Sequence, residues 1–159
     1  MKIKQLLEKL YEKESYKEFI AEYTDAFLCA GFFILEIGKT QYQLDFFIPK
    51  LKKLASFEYP FDKVKIYDDE VTGKLNVLNE NIKVDLTDLE DKIEEVKKDN
   101  DAVHKTSKII AILKNEGWNL TCLDNFMGMI RIKISSSGEV ESFEKGSLMD
   151  FMGIKKLDK

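Results

Sequence analysis

Arginine is nearly missing from this chain. Of its 25 basic residues in 159, only Arg131 is an arginine. The guanidinium is the planar fork that grips phosphate oxygens and guanine edges in two bonds at once, so its scarcity argues against a nucleic-acid reader. The net charge of −4 adds no general attraction to nucleic acid or to an anionic membrane. Histidine is as scarce. His104 alone cannot build a multi-histidine metal site, and its place near an expected helix start gives it a solvent-facing or capping role. Two cysteines, Cys29 and Cys122, supply neither a disulfide framework nor a four-ligand zinc set. No uninterrupted apolar run approaches the ~20 residues of a membrane span, and the charged opening MKIKQLLEKLYEKES is unlike a signal peptide. The expectation is a cytoplasmic protein with reduced thiols and no membrane span. A P-loop, a G-x-G-x-x-G turn and a Ser-His-Asp order are also missing, so neither catalytic residues nor a cofactor are expected.

What the chain does have is a large apolar payload, 44% of its residues with 11 Phe and 6 Tyr, enough for a proper core. Ile3, Leu6, Leu7 and Leu10 recur at helical spacing. Ser15 with Glu18 fits a capping box for a second helix carrying Phe19, Ile20 and Tyr23. Residues 26–37 are apolar on both faces, as in a central strand. Tyr42, Leu44, Phe46 and Ile48 alternate with polar residues, and LASFEY (54–59) reads as a third strand. Residues 61–86 form a connector. Thr87 with Glu90 is a candidate cap for a helix bearing Leu89, Ile93 and Val96. Another helix is expected through Val103, Ile109, Ile110 and Leu113, ended by Gly117. WNLTCL, FMGMIRIKI and EVESFE then read as three more strands.

Helix followed by three strands thus occurs twice. LDFFIPKLKKLASFEYP (44–60) lies over IRIKISSSGEVESFEKG (130–146) without a gap, with the tripeptide Ser56-Phe57-Glu58 falling on Ser142-Phe143-Glu144. The expected fold is α+β, with tandem helix–βββ modules whose antiparallel sheet is packed on one side by helices. Residues 1–60 are the first module, 61–86 the connector and 87–159 an αα-βββ module. In ISSSGEV, Gly138 supplies the backbone freedom of a hairpin turn, and the serines bond the nearby backbone.

The second module, from about Asp85 to Met152, resembles the PepSY domain family through Ile134-Ser135-Ser136-Ser137-Gly138-Glu139-Val140. The family's strand–turn–strand signature runs from an apolar residue and Asp through small residues to Thr-Gly-Glu-Val. The sequence departs from it at Ser135, where Asp is usual, and at Ser137, where Thr is common. The resemblance implies a helix followed by an antiparallel meander and a non-catalytic, in some relatives inhibitory, role. It brings no active-site residues.

The candidate contact residues follow from chemistry alone. Cys29 and Cys122 each lie in the first expected strand of their half, where two-fold packing would bring the thiols together. Met127, Met129, Met149 and Met152 crowd the last part of the chain. With Cys122 they offer either soft metal ligands or an adaptable apolar groove, against the plainer reading of core packing. Trp118 joins helix to sheet or lids a pocket. Two functions remain: an interaction module that takes a protein or peptide at a sheet edge or helix–sheet groove, a homodimer included, and a small-molecule or metal binder using the core between the halves.

Overall fold

The computed structural model describes residues 1–147 and 149. Two short helices, α1 (Ile3–Tyr11) and α2 (Glu14–Glu22), lead into a meander of β1 (Phe27–Glu36), β2 (Gln41–Ile48), β3 (Lys53–Glu58) and β4 (Val64–Ile66). A 3-10 turn at Leu86–Asp88 opens α3 (Leu89–Asp99). A second meander follows: β5 (Lys108–Lys114), β6 (Gly117–Leu123), β7 (Gly128–Ser135) and β8 (Val140–Ser147). All eight strands join one sheet in the order β4-β3-β2-β1-β5-β6-β7-β8. Every neighbouring pair is antiparallel. The architecture is mostly antiparallel sheet with a few helices.

Side-chain alternation decides which face the helices cover. Phe33, Leu44, Phe46, Phe57, Leu113, Leu120, Ile130 and Ile132 all turn to one side. There they merge with Leu6 and Leu10 of α1, Phe19 of α2, and Leu89 and Ile93 of α3 in a single core. The opposite face carries no helix among the described residues.

The expected helix over Val103–Leu113 is instead a loop followed by β5. The segment KIIAILK is seven residues in which buried positions alternate with half-buried or exposed ones, with Ile109, Ala111 and Leu113 inward. Adjacent β-branched residues crowd a helix turn but sit well on a pleated strand. Gly117 is accordingly no helix cap. It stands where β6 begins, at φ +126, and a Cβ there would lie 2.1 Å from the Ile134 carbonyl oxygen. The connector is also more ordered than a plain link. It supplies β4, bonds the β3 backbone from Tyr67 and the β2–β3 turn from Val71, and reaches β1 through the Leu78 N–H to the Leu28 carbonyl.

The helix starts differ from expectation as well. Ser15 lies inside α2 and donates to the Phe61 carbonyl. Thr87 caps no helix: the side-chain cap belongs to the 3-10 turn that leads into α3 and comes from Asp85, whereas α3 itself has no side-chain cap. The Asp85 carboxylate accepts from Leu86 N at 2.7 Å, and Asp88 accepts from Asp85 N at 3.0 Å. Asp85 Oδ1 also takes the Ile3 N–H at 2.9 Å, fixing the start of α1 to the same point.

The ungapped match between 44–60 and 130–146 lays β2–β3 over β7–β8. The strand order, however, is symmetric about the β1·β5 pair and places β2 opposite β6 in rank, and β3 opposite β7. The match is therefore one strand out of step with the architecture. The turn at Gly138 is as the sequence indicates. The glycine has φ +91 and its N–H bonds the Ser135 carbonyl, while Ser135 Oγ accepts from Glu139 N.

Replacing Gly117 by alanine is expected to cost about 2–4 kcal/mol, from left-handed backbone strain together with a backbone clash that no rotamer relieves. Urea unfolding followed by circular dichroism measures it, and a loss below about 0.5 kcal/mol would contradict this geometry.

Candidate functional site

The sequence candidates do not converge. Cys122 is wholly buried on the helix-covered face. Cys29 is buried at a bulge in β1, outside that core, with its Sγ donating to the Asp45 carbonyl at 3.4 Å. Cys29 lies near the first end of β1, whereas Cys122 lies near the last end of β6, and β5 runs between them. The two thiols are thus kept apart by β5, the strand that the sequence pattern presents as a helix. Burial pushes each thiol up to about 12 from 9.0; for Cys29 the Asp45 charge adds to the effect.

Met129 pairs with Leu123, while Cys122 pairs with Ile130. Neighbouring positions of a strand point to opposite faces, so Cys122 and Met129 cannot share a metal. Met127 is half exposed in the β6–β7 turn, and Met149 is exposed beyond β8. Met152 lies outside the described residues. Among the described residues no three His, Cys, Asp or Glu side chains gather closely enough to hold a metal ion.

Trp118 is buried, its ring 5.9 Å from that of Phe33, and its Nε1 donates to the Val84 carbonyl at 2.7 Å. It fastens the end of the connector to the sheet. A hollow of about 190 Å³ adjoins it, shared with Val84, Lys114 and Ser136.

His104, expected to face solvent, is buried. Its Nδ1 stands 2.8 Å from Thr106 Oγ1 and its Nε2 3.2 Å from the Gly128 carbonyl. A carbonyl can only accept, so the neutral ring carries its proton on Nε2 and Thr106 donates to Nδ1. The same loop is held from below by Lys97, whose Nζ donates to the His104 carbonyl at 2.6 Å and pairs with Glu94. Asp124 accepts from the Phe126 and Gly128 N–H groups at 2.7 Å each. The first of these bonds is the main reason its carboxyl is held below the ordinary range. Together these bonds lock the α3–β5 loop to the β6–β7 turn.

On the open face lies a network that sequence reading missed. Asp45 Oδ1 accepts from Ser56 Oγ at 2.6 Å and from Gln43 Nε2 at 2.9 Å. Burial raises its carboxyl above the usual value, and the two hydrogen bonds partly offset that.

A cleft of about 630 Å³ lies where α3 crosses the end of β1 and the start of β5. Leu35, Tyr42, Leu86, Ile93 and Ile109 make its apolar floor. Glu36, Glu90 and Glu94 stand at its border with the hydroxyls of Thr40, Thr87, Thr106 and Ser107. Such a site prefers an apolar group next to a positive charge. Of these residues the sequence marked Glu90 only as a helix cap and Ile93 and Ile109 only as core. Residues so distant in the chain meet through the β1·β5 pairing, which has no local signature.

No family model matches the chain, and no curated protein does. Among solved structures it is similar to a putative lipoprotein from Clostridium difficile 630, with a TM-score of 0.49 and 16% identity. The match covers 82% of this chain and 89% of the other. The cytoplasmic location expected from the sequence is withdrawn on that finding, and no location is assigned in its place.

Two predictions arise here. With both folded-state thiols raised, the unfolded chain alone releases their protons near pH 9. Stability should therefore be intact below that value and fall progressively as pH rises toward about 12. Native protein at pH 8 should resist alkylation and give up two reactive thiols only in denaturant; fast native labelling would refute the burial. Trp118→Phe keeps the ring's bulk but removes the N–H. It should lower stability by about 1 kcal/mol and speed amide exchange in residues 79–85.

Proposed function

We propose that this protein is a non-catalytic binding module that takes a segment of another protein or a peptide in the α3–sheet cleft. The carrying observation is the combination in one cleft of an apolar floor with the acidic residues Glu36, Glu90 and Glu94 at its border, Glu94 being already paired with Lys97. The occupant is then an apolar side chain followed closely by lysine or arginine.

The groove is favoured over strand addition by the state of the two sheet edges. β4 is three residues long, and beyond it the connector itself bonds β3. β8 presents Glu141, Glu144 and Lys145, charges that guard an edge against pairing. The reading of the second half as PepSY-like belongs to the same proposal. It is supported by a helix leading into a meander, with Gly138-Glu139-Val140 at the final turn. So does the division of the chain into two helix-plus-meander modules, each now with four strands. The inhibitory role of some PepSY relatives is not carried over.

Selection from a displayed random-peptide library tests this reading. Enrichment of apolar-plus-basic sequences is expected, with binding weakened about tenfold or more by Glu36→Lys combined with Glu90→Lys. If no sequence is enriched, or if enriched peptides bind the double variant equally well, the cleft is not the site.

A further inference from the structure

The bare face of the sheet is apolar along its middle. Phe32 and Ile34 of β1 lie beside Ile112 and Ile110 of β5, all four half-buried, and among the described residues no helix packs over them. A register row crosses six of the eight strands, from β3 to β7, through this stripe. Glu58 pairs with Gln43, Gln43 with Phe32, Phe32 with Ile112, Ile112 with Asn119, and Asn119 with Lys133. Read outward from the β1·β5 line, the row runs apolar, amide, charge in both directions, with an acid ending one arm and a base the other.

We propose that two copies of this chain stack these faces, related by a two-fold axis that runs along the β1·β5 line between the sheets. Rotation about that axis exchanges the arms of the row. Phe32 of each copy then lies over Ile112 of the other, Gln43 over Asn119, and Glu58 over Lys133. Each contact occurs twice, as an isologous interface requires. The alternative axis, across the strands, would set Glu58 on Glu58 and Lys133 on Lys133, and like charges so placed disfavour it. From β3 to β7 the face measures roughly 25–30 Å each way by strand spacing and rise. That is on the order of 800 Å² per copy, the size of a standard interface half. Stacked sheets sit about 10 Å apart, a distance these side chains fill by interdigitating. The α3 cleft stays outward on both copies, so the dimer neither needs nor blocks the binding proposed above.

Sedimentation equilibrium over a concentration series tests the arrangement on the whole chain. The wild type should be a dimer, and Glu58→Lys and Lys133→Glu should each raise its dissociation constant about tenfold by placing two like-charge contacts in the interface. The double variant should return to within about threefold of wild type, since the swapped charges match again. Ile112→Asp should give a monomer with an unchanged circular dichroism spectrum. Should that variant fail to fold, the charge-swap series alone decides the matter. A wild type that stays monomeric, whether or not it binds another protein or a vesicle, overturns the proposal. So does a dimer whose affinity neither single change alters, or a double variant no tighter than the singles.

Discussion

From Gly31 to Glu36, β1 bonds to β5 from Leu113 back to Lys108, joining residues about 70–80 positions apart in the chain. Every other pairing in the sheet is between strands adjacent in sequence. This one junction turns two four-strand meanders into a single eight-stranded surface, and the helices of both halves share one core because of it. It also gives the sheet an inner strand on each side of the junction where two bare edges would otherwise meet water. An unpaired edge of that length, carrying Phe32, Ile34, Ile110 and Ile112, would invite aggregation.

The cleft is a second product of the same junction. Its floor needs Leu35 and Ile109 side by side, and the register of β1 against β5 sets them directly opposite one another. α3 is then drawn over the gap by Leu89, Ile93 and Val96, which are buried in the common core. The acidic border follows from helix periodicity: Glu90 and Glu94 are four residues apart and share a face.

Much of this could be read from the sequence where the signal is local. Period-two alternation located β2, β6 and β7, and an unbroken apolar run located β1, because each strand's burial is written in its own residues. KIIAILK failed as a reading because Ile109, Ile110 and Leu113 also fit a helical stripe. Only their brevity and their branched neighbours argue otherwise. The shared tripeptide Ser-Phe-Glu pointed to a repeat, yet hairpins of any origin share alternation, and the junction set the true correspondence one strand away. Trp118 was legible as a fastening, though its partner is the connector and not a helix. The cleft was illegible for a different reason. Its residues are unremarkable singly, and only long-range register assembles them. The buried polar groups were hidden likewise. Lys97 lies in the charged run that follows the apolar stripe of α3, but its stem is covered and its ammonium is spent on Glu94 and the His104 carbonyl.

The connector runs from Tyr67 beside β3 to Val84 beneath Trp118, and midway it passes through Gly73, which stands in open space. It therefore carries chain continuity across a place where strand continuity is not needed. Opened at that glycine, the polypeptide would part into two pieces, each holding its own meander and at least one of the helices that cover it. What would draw them back together is the β1·β5 ladder and the shared apolar layer above it. In this molecule the covalent link between the halves and the physical link between them are separate things, and the second is the stronger organiser.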